Sequence, residues 1–200
     1  MNNLFGHRFK ISVSKRNQLN QHSSFLIFFT GLSGSGKSTL ASAVEKKLYD
    51  EGIRTFSLDG DNIRIGINSD LGFTPEDRSE NLRRIGHISK LFVDSGAVVL
   101  ASFIAPYEKD REFIKKTVTE ENYIEIYVST SLEECERRDT KGLYKKAREG
   151  KIKDFTGISA PYEAPKKPLL ALSTECTAIE DLVEIIYEKI KEKLYTFSNE

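Results

Sequence analysis

Gly31-Leu32-Ser33-Gly34-Ser35-Gly36-Lys37-Ser38-Thr39 follows the apolar run Phe25-Leu26-Ile27-Phe28-Phe29 and precedes a stretch that repeats Leu40, Ala43, Val44 and Leu48 at helical spacing. The segment matches GxxxxGK[ST] in full, and its flanks are those the pattern needs: a buried strand before it and an amphipathic helix after it. Glycines 31, 34 and 36 let successive backbone N–H groups turn inward on phosphates. Lys37 sets a compact positive charge on the terminal phosphate oxygens, Ser38 offers a hydroxyl to Mg²⁺, and the start of the helix adds its own partial charge. Leu32, Ser33, Ser35 and Thr39 complete the cradle. The loop implies nucleoside triphosphate binding, with ATP as donor. It does not by itself separate kinases from GTPases, motors or uptake ATPases.

Working outward, further runs rich in Val, Ile, Phe and Tyr occur at 54–58, 97–103, 123–128 and 169–172. Helical patterns separate them. Thr74 is placed as an N-cap with Pro75 at the first helical position, and Leu82, Ile85, Ile88 and Phe92 give that helix an apolar face. A last helix over 178–194 carries Ile179, Leu182, Ile185, Ile186 and Ile190. Five strands interleaved with helices predict an α/β fold, a P-loop NTPase-like three-layer architecture with a five-stranded parallel sheet and helices on both faces. Ligands then belong at the carboxyl ends of the strands.

Composition limits the function classes. Two hundred residues, 38% apolar and 30% charged, suit one domain, and thirty basic residues against thirty acidic ones leave no global field for nucleic acid or membrane surface. The longest apolar run falls far short of the about 18 residues of a membrane helix. Cys135 and Cys176 form no metal or disulfide framework, and the three histidines form no ligand set, which fits a cytoplasmic protein. Residues 1–24, with Arg8, Lys10, Lys15 and Arg16 and no acid, read as a partly ordered arm before a kinase domain at 25–200, since no continuous apolar stretch suits a secretory signal.

At the end of the second strand stands Asp59-Gly60-Asp61-Asn62-Ile63-Arg64. In an extended chain Asp59 and Asp61 share one side, where either can hold Mg²⁺ or accept a proton from a substrate hydroxyl. Asp61 is taken as the acceptor-side carboxylate and, with Ser38, as a Mg²⁺ ligand; Arg64 can clamp an anion. Without the phosphate loop the same residues read as an ordinary turn. Residues 137–153 hold eight basic side chains, among them Arg138 and Lys141, and acids at 136, 139, 149 and 154 lie within or beside this run. The stretch about 138–165 reads as a mobile basic lid that closes over developing phosphate charge. The interrupting acids speak against nucleic acid.

Five ordered blocks resemble the adenylylsulfate kinase family: GLSGSGKST at 31–39, LDGDNIR at 58–64, LGFTPEDRSENLRRIG at 71–86, SFIAPYEKDR at 102–111 and RDTKGLYKKAREGKIKDFTGISAPYEAP at 138–165. The resemblance implies transfer of the ATP γ-phosphate to the 3′-hydroxyl of adenosine 5′-phosphosulfate in sulfate assimilation. It implies that Phe73 and Phe155 stack on the substrate base, that Arg64, Arg78, Asn81 and Ile104 hold that nucleotide, that Lys141 lies near it, and that Arg138 lies near ATP. It also implies a homodimer. Apart from the resemblance, Arg78 and Asn81 are three apart on a predicted helix and share a face, which is otherwise read as solvated surface.

The sequence departs from the family at two places. Ala105 stands where some members carry a serine with a proposed phosphoserine role, so direct transfer between nucleotides is expected; Ile65 stands where many have histidine. The N-terminal cysteine of certain plant members has no counterpart before Cys135, so their redox switch is expected to be missing, and a stand-alone kinase without a sulfurylase-like domain is expected. The competing readings are a related kinase with another small acceptor and a silent nucleotide-binding regulator. Loss of the Phe73, Arg78, Asn81 and Phe155 set would favour the first, and loss of Lys37, Ser38 or the paired acids the second.

Overall fold

The computed structural model describes residues 5–7 and 9–197; Arg8 and residues 1–4 of the arm lie outside the described residues. In chain order the elements are α1 (Val13–Asn20), β1 (Leu26–Thr30), α2 (Lys37–Asp50), β2 (Thr55–Asp59), α3 (Gly60–Ile65), α4 (Pro75–Asp94), β3 (Val98–Ser102), α5 (Glu108–Val118), β4 (Tyr123–Val128), α6 (Leu132–Arg138), α7 (Leu143–Arg148), β5 (Leu170–Leu172) and α8 (Ile179–Tyr195). The five strands are all parallel in the order β2-β3-β1-β4-β5, as the interleaved pattern predicts.

The alternation of side chains along β1 builds both faces of the core. Phe25, Ile27 and Phe29 point into a cluster with Leu40, Val44 and Leu48 of α2 and Leu182, Ile186 and Ile190 of α8. Leu26 and Phe28 point the other way, against Leu82 and Ile85 of α4 and Ile114 of α5. Every residue of β1 is buried, which explains why its sequence is a continuous apolar run rather than an alternating one. The expected faces hold in detail, except that Ile185 of α8 is exposed. Thr74 accepts a hydrogen bond from the Asp77 N–H and Pro75 opens α4, the N-terminal chemistry read from the sequence.

The arm is helical over Val13–Asn20. Ser12 caps α1, and Asn20 donates its side-chain amide to the Gly96 carbonyl at 2.8 Å. His22 is fully buried. The Arg54 N–H reaches its Nε2 at 3.0 Å, so Nε2 is the acceptor and the Nδ1–H donates to the Ser23 carbonyl at 2.8 Å. Ser23 then joins the far end of the chain: its N–H donates to Leu194 O at 2.7 Å and its hydroxyl to Thr196 O at 2.6 Å.

The stretch about 138–165, read as a mobile basic lid, carries a core of its own. Tyr144, Ala147 and Phe155 pack with Cys135, and Leu32 of the phosphate loop lies against them. Tyr144 also donates its hydroxyl to the Ser33 carbonyl at 2.9 Å. Burial pushes the Tyr144 phenol up, so that donor stays protonated.

Candidate active site

A cavity of about 420 Å³ opens at the carboxyl ends of β1, β2 and β3 and joins the phosphate loop, α3, the start of α4, the segment after β3 and the lid. Its position is the one expected for a parallel sheet.

The donor half is built from the loop and the start of α2. Gly36 has φ +95°, a left-handed conformation, and Gly31 leaves no room for a side chain, since a Cβ there would stand 2.4 Å from the Val128 carbonyl. Ser33, Gly34, Gly36, Lys37, Ser38 and Thr39 line the cavity. Gly31, Leu32 and Ser35 do not: Ser35 is buried with its carbonyl accepting from Thr130 and Thr174, and Leu32 packs toward the lid. They shape the loop from behind. Lys37 is almost buried, with Nζ donating to Leu32 O at 2.6 Å, and burial brings its pKa down to about 8.

The two carboxylates separate. The chain does not stay extended after β2; Asp59 caps α3 by accepting the Asp61 N–H at 3.0 Å, and Asp61 falls in the first helical turn. The side-by-side placement expected of the two carboxylates in an extended chain is therefore not found. Asp59 rather than Asp61 receives the Ser38 hydroxyl, at 2.7 Å, and the Ser102 hydroxyl, at 2.9 Å, both on one oxygen. Burial pushes the Asp59 carboxyl up, but those hydroxyls and the Asp61 and Asn62 N–H groups outweigh it and hold the pKa below the ordinary carboxylate value. Asp61 instead pairs with Lys141 of the lid. Among the described residues no three His, Cys, Asp or Glu side chains cluster as a metal site. Ser38 and Asp59 are a hard-oxygen pair that fits a Mg²⁺ arriving with phosphates that supply the remaining oxygens.

Arg64, Phe73, Arg78, Asn81 and Ile104 all line the same cavity as the phosphate loop. The Arg64 guanidinium lies 4.5 Å from the centre of the Phe73 ring and that of Arg78 lies 5.7 Å away. Arg64 donates to Gly72 O at 2.7 Å, and Arg78 to Phe73 O at 2.9 Å and to Asp154 O of the lid at 3.1 Å. Asn81 is buried and accepts from Asn68 at 2.9 Å, which leaves its amide hydrogens for a ligand. Phe73 is 62% exposed, an open aromatic face on the rim. Phe155, expected as its stacking partner, does not line the cavity: it stands edge-on to Tyr144, 5.0 Å between ring centres, in the lid core.

The basic lid is less positive than its sequence suggests. Arg137 and Arg138 both pair with Glu134, Arg148 with Glu136, and Lys151 with Glu149. Arg138 reaches the cavity while donating to Thr174 Oγ1 and O, each at 2.8 Å. Sequence reasoning missed Ser102, Phe103, Pro106 and Thr140 as lining residues. The signal for Ser102 was its place at the carboxyl end of β3.

Comparison with known proteins agrees with this geometry. The family model described as adenylylsulphate kinase matches residues 23–173. The chain is 52% identical over 194 residues to the adenylyl-sulfate kinase of Staphylococcus epidermidis, covering 97% of this chain and 98% of the relative. It is 54% identical over 188 residues to that of Oceanobacillus iheyensis, covering 93% and 94%. Among solved structures, the Mycobacterium tuberculosis APS kinase CysC in complex with AMPPNP and APS superposes with a TM-score of 0.81 at 44% identity, over 84% of this chain and 98% of that one. With the phosphate loop and the acceptor residues in one cavity and this likeness over nearly the whole length, the chain belongs to the adenylylsulphate kinase family.

Proposed function

We propose that the protein transfers the γ-phosphate of ATP to the 3′-hydroxyl of adenosine 5′-phosphosulfate, giving 3′-phosphoadenosine 5′-phosphosulfate and ADP. The observation that carries this reading is the single cavity in which the phosphate loop faces Phe73, Arg64, Arg78 and Asn81. Its two halves suit two nucleotides: backbone N–H groups and Lys37 for the triphosphate, an aromatic face and guanidiniums for a base and an anionic tail.

Lys37 stabilises charge developing on the transferred group, and Asp61 accepts the proton of the attacking hydroxyl. Lys141, which pairs with Asp61, turns toward the phosphosulfate when the acceptor binds. Ser38 and Asp59 hold the Mg²⁺ that accompanies ATP, which supplies Lewis-acid neutralisation of the phosphate oxygens. Ala105 lies in the cavity wall with no oxygen to carry phosphate, which supports direct transfer between the nucleotides. The lid at about 138–165 and Arg138 cover the donor, and Phe155 reaches the acceptor base when the lid closes. A homodimer is carried from the family resemblance, and a cytoplasmic location from the composition; among the described residues no helix is long and apolar enough to cross a membrane.

Incubation of purified protein with ATP, Mg²⁺ and adenosine 5′-phosphosulfate is expected to yield the 3′-phosphorylated nucleotide and equimolar ADP. A screen of other small hydroxyl acceptors run in parallel would overturn the reading if one of them were turned over and adenosine 5′-phosphosulfate were not. With γ-labelled ATP no acid-stable label is expected on the protein, and light scattering is expected to give twice the chain mass.

A further inference from the structure

Three consecutive carbonyls in the wall of the acceptor half are each held from a different part of the fold. The Thr30 hydroxyl, at the end of β1, donates to Ile104 O at 2.6 Å. Arg111 Nη1, from α5, donates to Ala105 O at 2.7 Å, and the Glu163 N–H, at the end of the lid, donates to Pro106 O at 2.8 Å. Between them Ala105 takes φ +45°, a left-handed conformation costly for a residue with a Cβ, and it is buried. The following proline already disfavours the right-handed helical region at this position. A backbone of this kind persists only where its surroundings over-determine it.

The peptide plane translates these clamps into directions. In a trans peptide the N–H points opposite to the C=O, so tying Ile104 O to Thr30 aims the Ala105 N–H the other way. That N–H and the one of Ile104 donate to no protein acceptor among the described residues. The Ala105–Pro106 peptide has no N–H, and what its carbonyl fixes is the setting of the Pro106 ring in the cavity wall. Arg111 is suited to hold that carbonyl because it is itself fixed. It is 3% exposed, and its Nε lies 3.3 Å from the Glu125 carboxylate on β4, which in turn accepts the Tyr123 hydroxyl at 3.1 Å. A buried guanidinium with one nitrogen ion-paired to a carboxylate and another hydrogen-bonded to the cavity wall is a rigid strut.

We propose that Arg111 is a positioning residue for the acceptor nucleotide: from behind the cavity, and together with Thr30, it fixes Ala105 in its left-handed conformation and so sets how residues 104–106 meet the acceptor. The naming of that acceptor rests on the proposed function; the clamp itself does not. Lysine at 111 keeps a charge for Glu125 but cannot hold both partners in the fork geometry. Valine at 30 removes the hydroxyl with little change of shape.

Two readouts test the strut in the full chain, Arg111→Lys and Thr30→Val each being compared with wild type. KM for adenosine 5′-phosphosulfate is expected to rise about tenfold with KM for ATP within about twofold, a split that general loosening of the fold would not give. The backbone ¹³C shifts of Ala105 are expected to leave the left-handed range in both variants. Equal movement of both KM values, or Ala105 shifts that stay left-handed, overturns the positioning role. Should wild type fail to turn over adenosine 5′-phosphosulfate, the proposed function falls, and the Ala105 shifts alone decide the clamp. If Arg111→Lys does not fold, Thr30→Val decides by the same two measurements.

Discussion

The Ser38 hydroxyl donates to Asp59 across 2.7 Å, joining the first turn of α2 to the end of β2 beneath the phosphate loop. Since Ser102 reaches the same carboxylate oxygen, Asp59 is fixed by hydroxyls from two other elements before any cation arrives.

Replacing that carboxylate tests its role as cation holder. In Asp59→Asn the Mg²⁺ concentration for half-maximal rate is expected to rise at least tenfold, and thermal stability to change little because asparagine caps a helix about as well as aspartate. A Mg²⁺ titration that superposes on wild type would remove Asp59 from the site.

Lys37 gives a pH dependence with a defined sign. Its pKa near 8 in the free protein, lowered by burial, means that it loses its proton as pH passes about 8. Bound triphosphate raises that pKa, so ATP affinity is full below about 8 and weakens above it, by up to about tenfold per pH unit. Calorimetry near pH 8.5 in buffers of different ionisation heat is expected to show proton uptake on binding. Lys37→Arg, whose charge persists, is expected to bind more weakly but without this slope. A flat affinity from pH 7 to 9.5 in wild type would contradict the assignment.

Asp61 and Lys141 are expected to part ways kinetically. Asp61→Asn is expected to lower kcat by at least about a hundredfold with both KM values within about threefold, as for a group that acts in the transition state. Lys141→Ala is expected to raise KM for adenosine 5′-phosphosulfate about tenfold. Both side chains are more than half exposed, so their pairing contributes at most about 1 kcal/mol to stability, and melting temperatures are expected to stay near wild type. Unchanged kcat in Asp61→Asn would assign the proton to another acceptor.

Phe155 tests the lid as a packed unit. Truncation to alanine in a buried cluster costs about 3 kcal/mol, spent here on a satellite core of few residues. Phe155→Ala is expected to speed limited proteolysis within 139–165 many-fold while the sheet core melts near its wild-type temperature, and Phe155→Leu to recover most of the protection. Equal cleavage rates in all three proteins would deny the lid a core.

The phosphate loop, the parallel sheet and the cap of α4 were legible because each is written locally: glycines with a lysine, continuous apolar runs, threonine before proline. Arg64, Phe73, Arg78 and Asn81 were singled out through resemblance, and they meet in one cavity. Asp59 and Asp61 were mispaired because Gly60 permits both a strand and a helical turn, and the cap formed by Asp59 decides between them only once β2 has a neighbour in β3. The placement of Phe155 and of the lid charges was not legible for a different reason. An aromatic or a lysine in a polar stretch does not state whether it faces ligand, partner acid or a small local core.

The bonds from Ser23 to Leu194 and Thr196 bring the entrance of β1 beside the exit of α8. The chain is therefore nearly a closed loop, and its order can be rewritten. A short Gly/Ser bridge between these two points, with new ends cut at the exposed turn around Gly52, would leave every strand neighbour and the whole cavity in place.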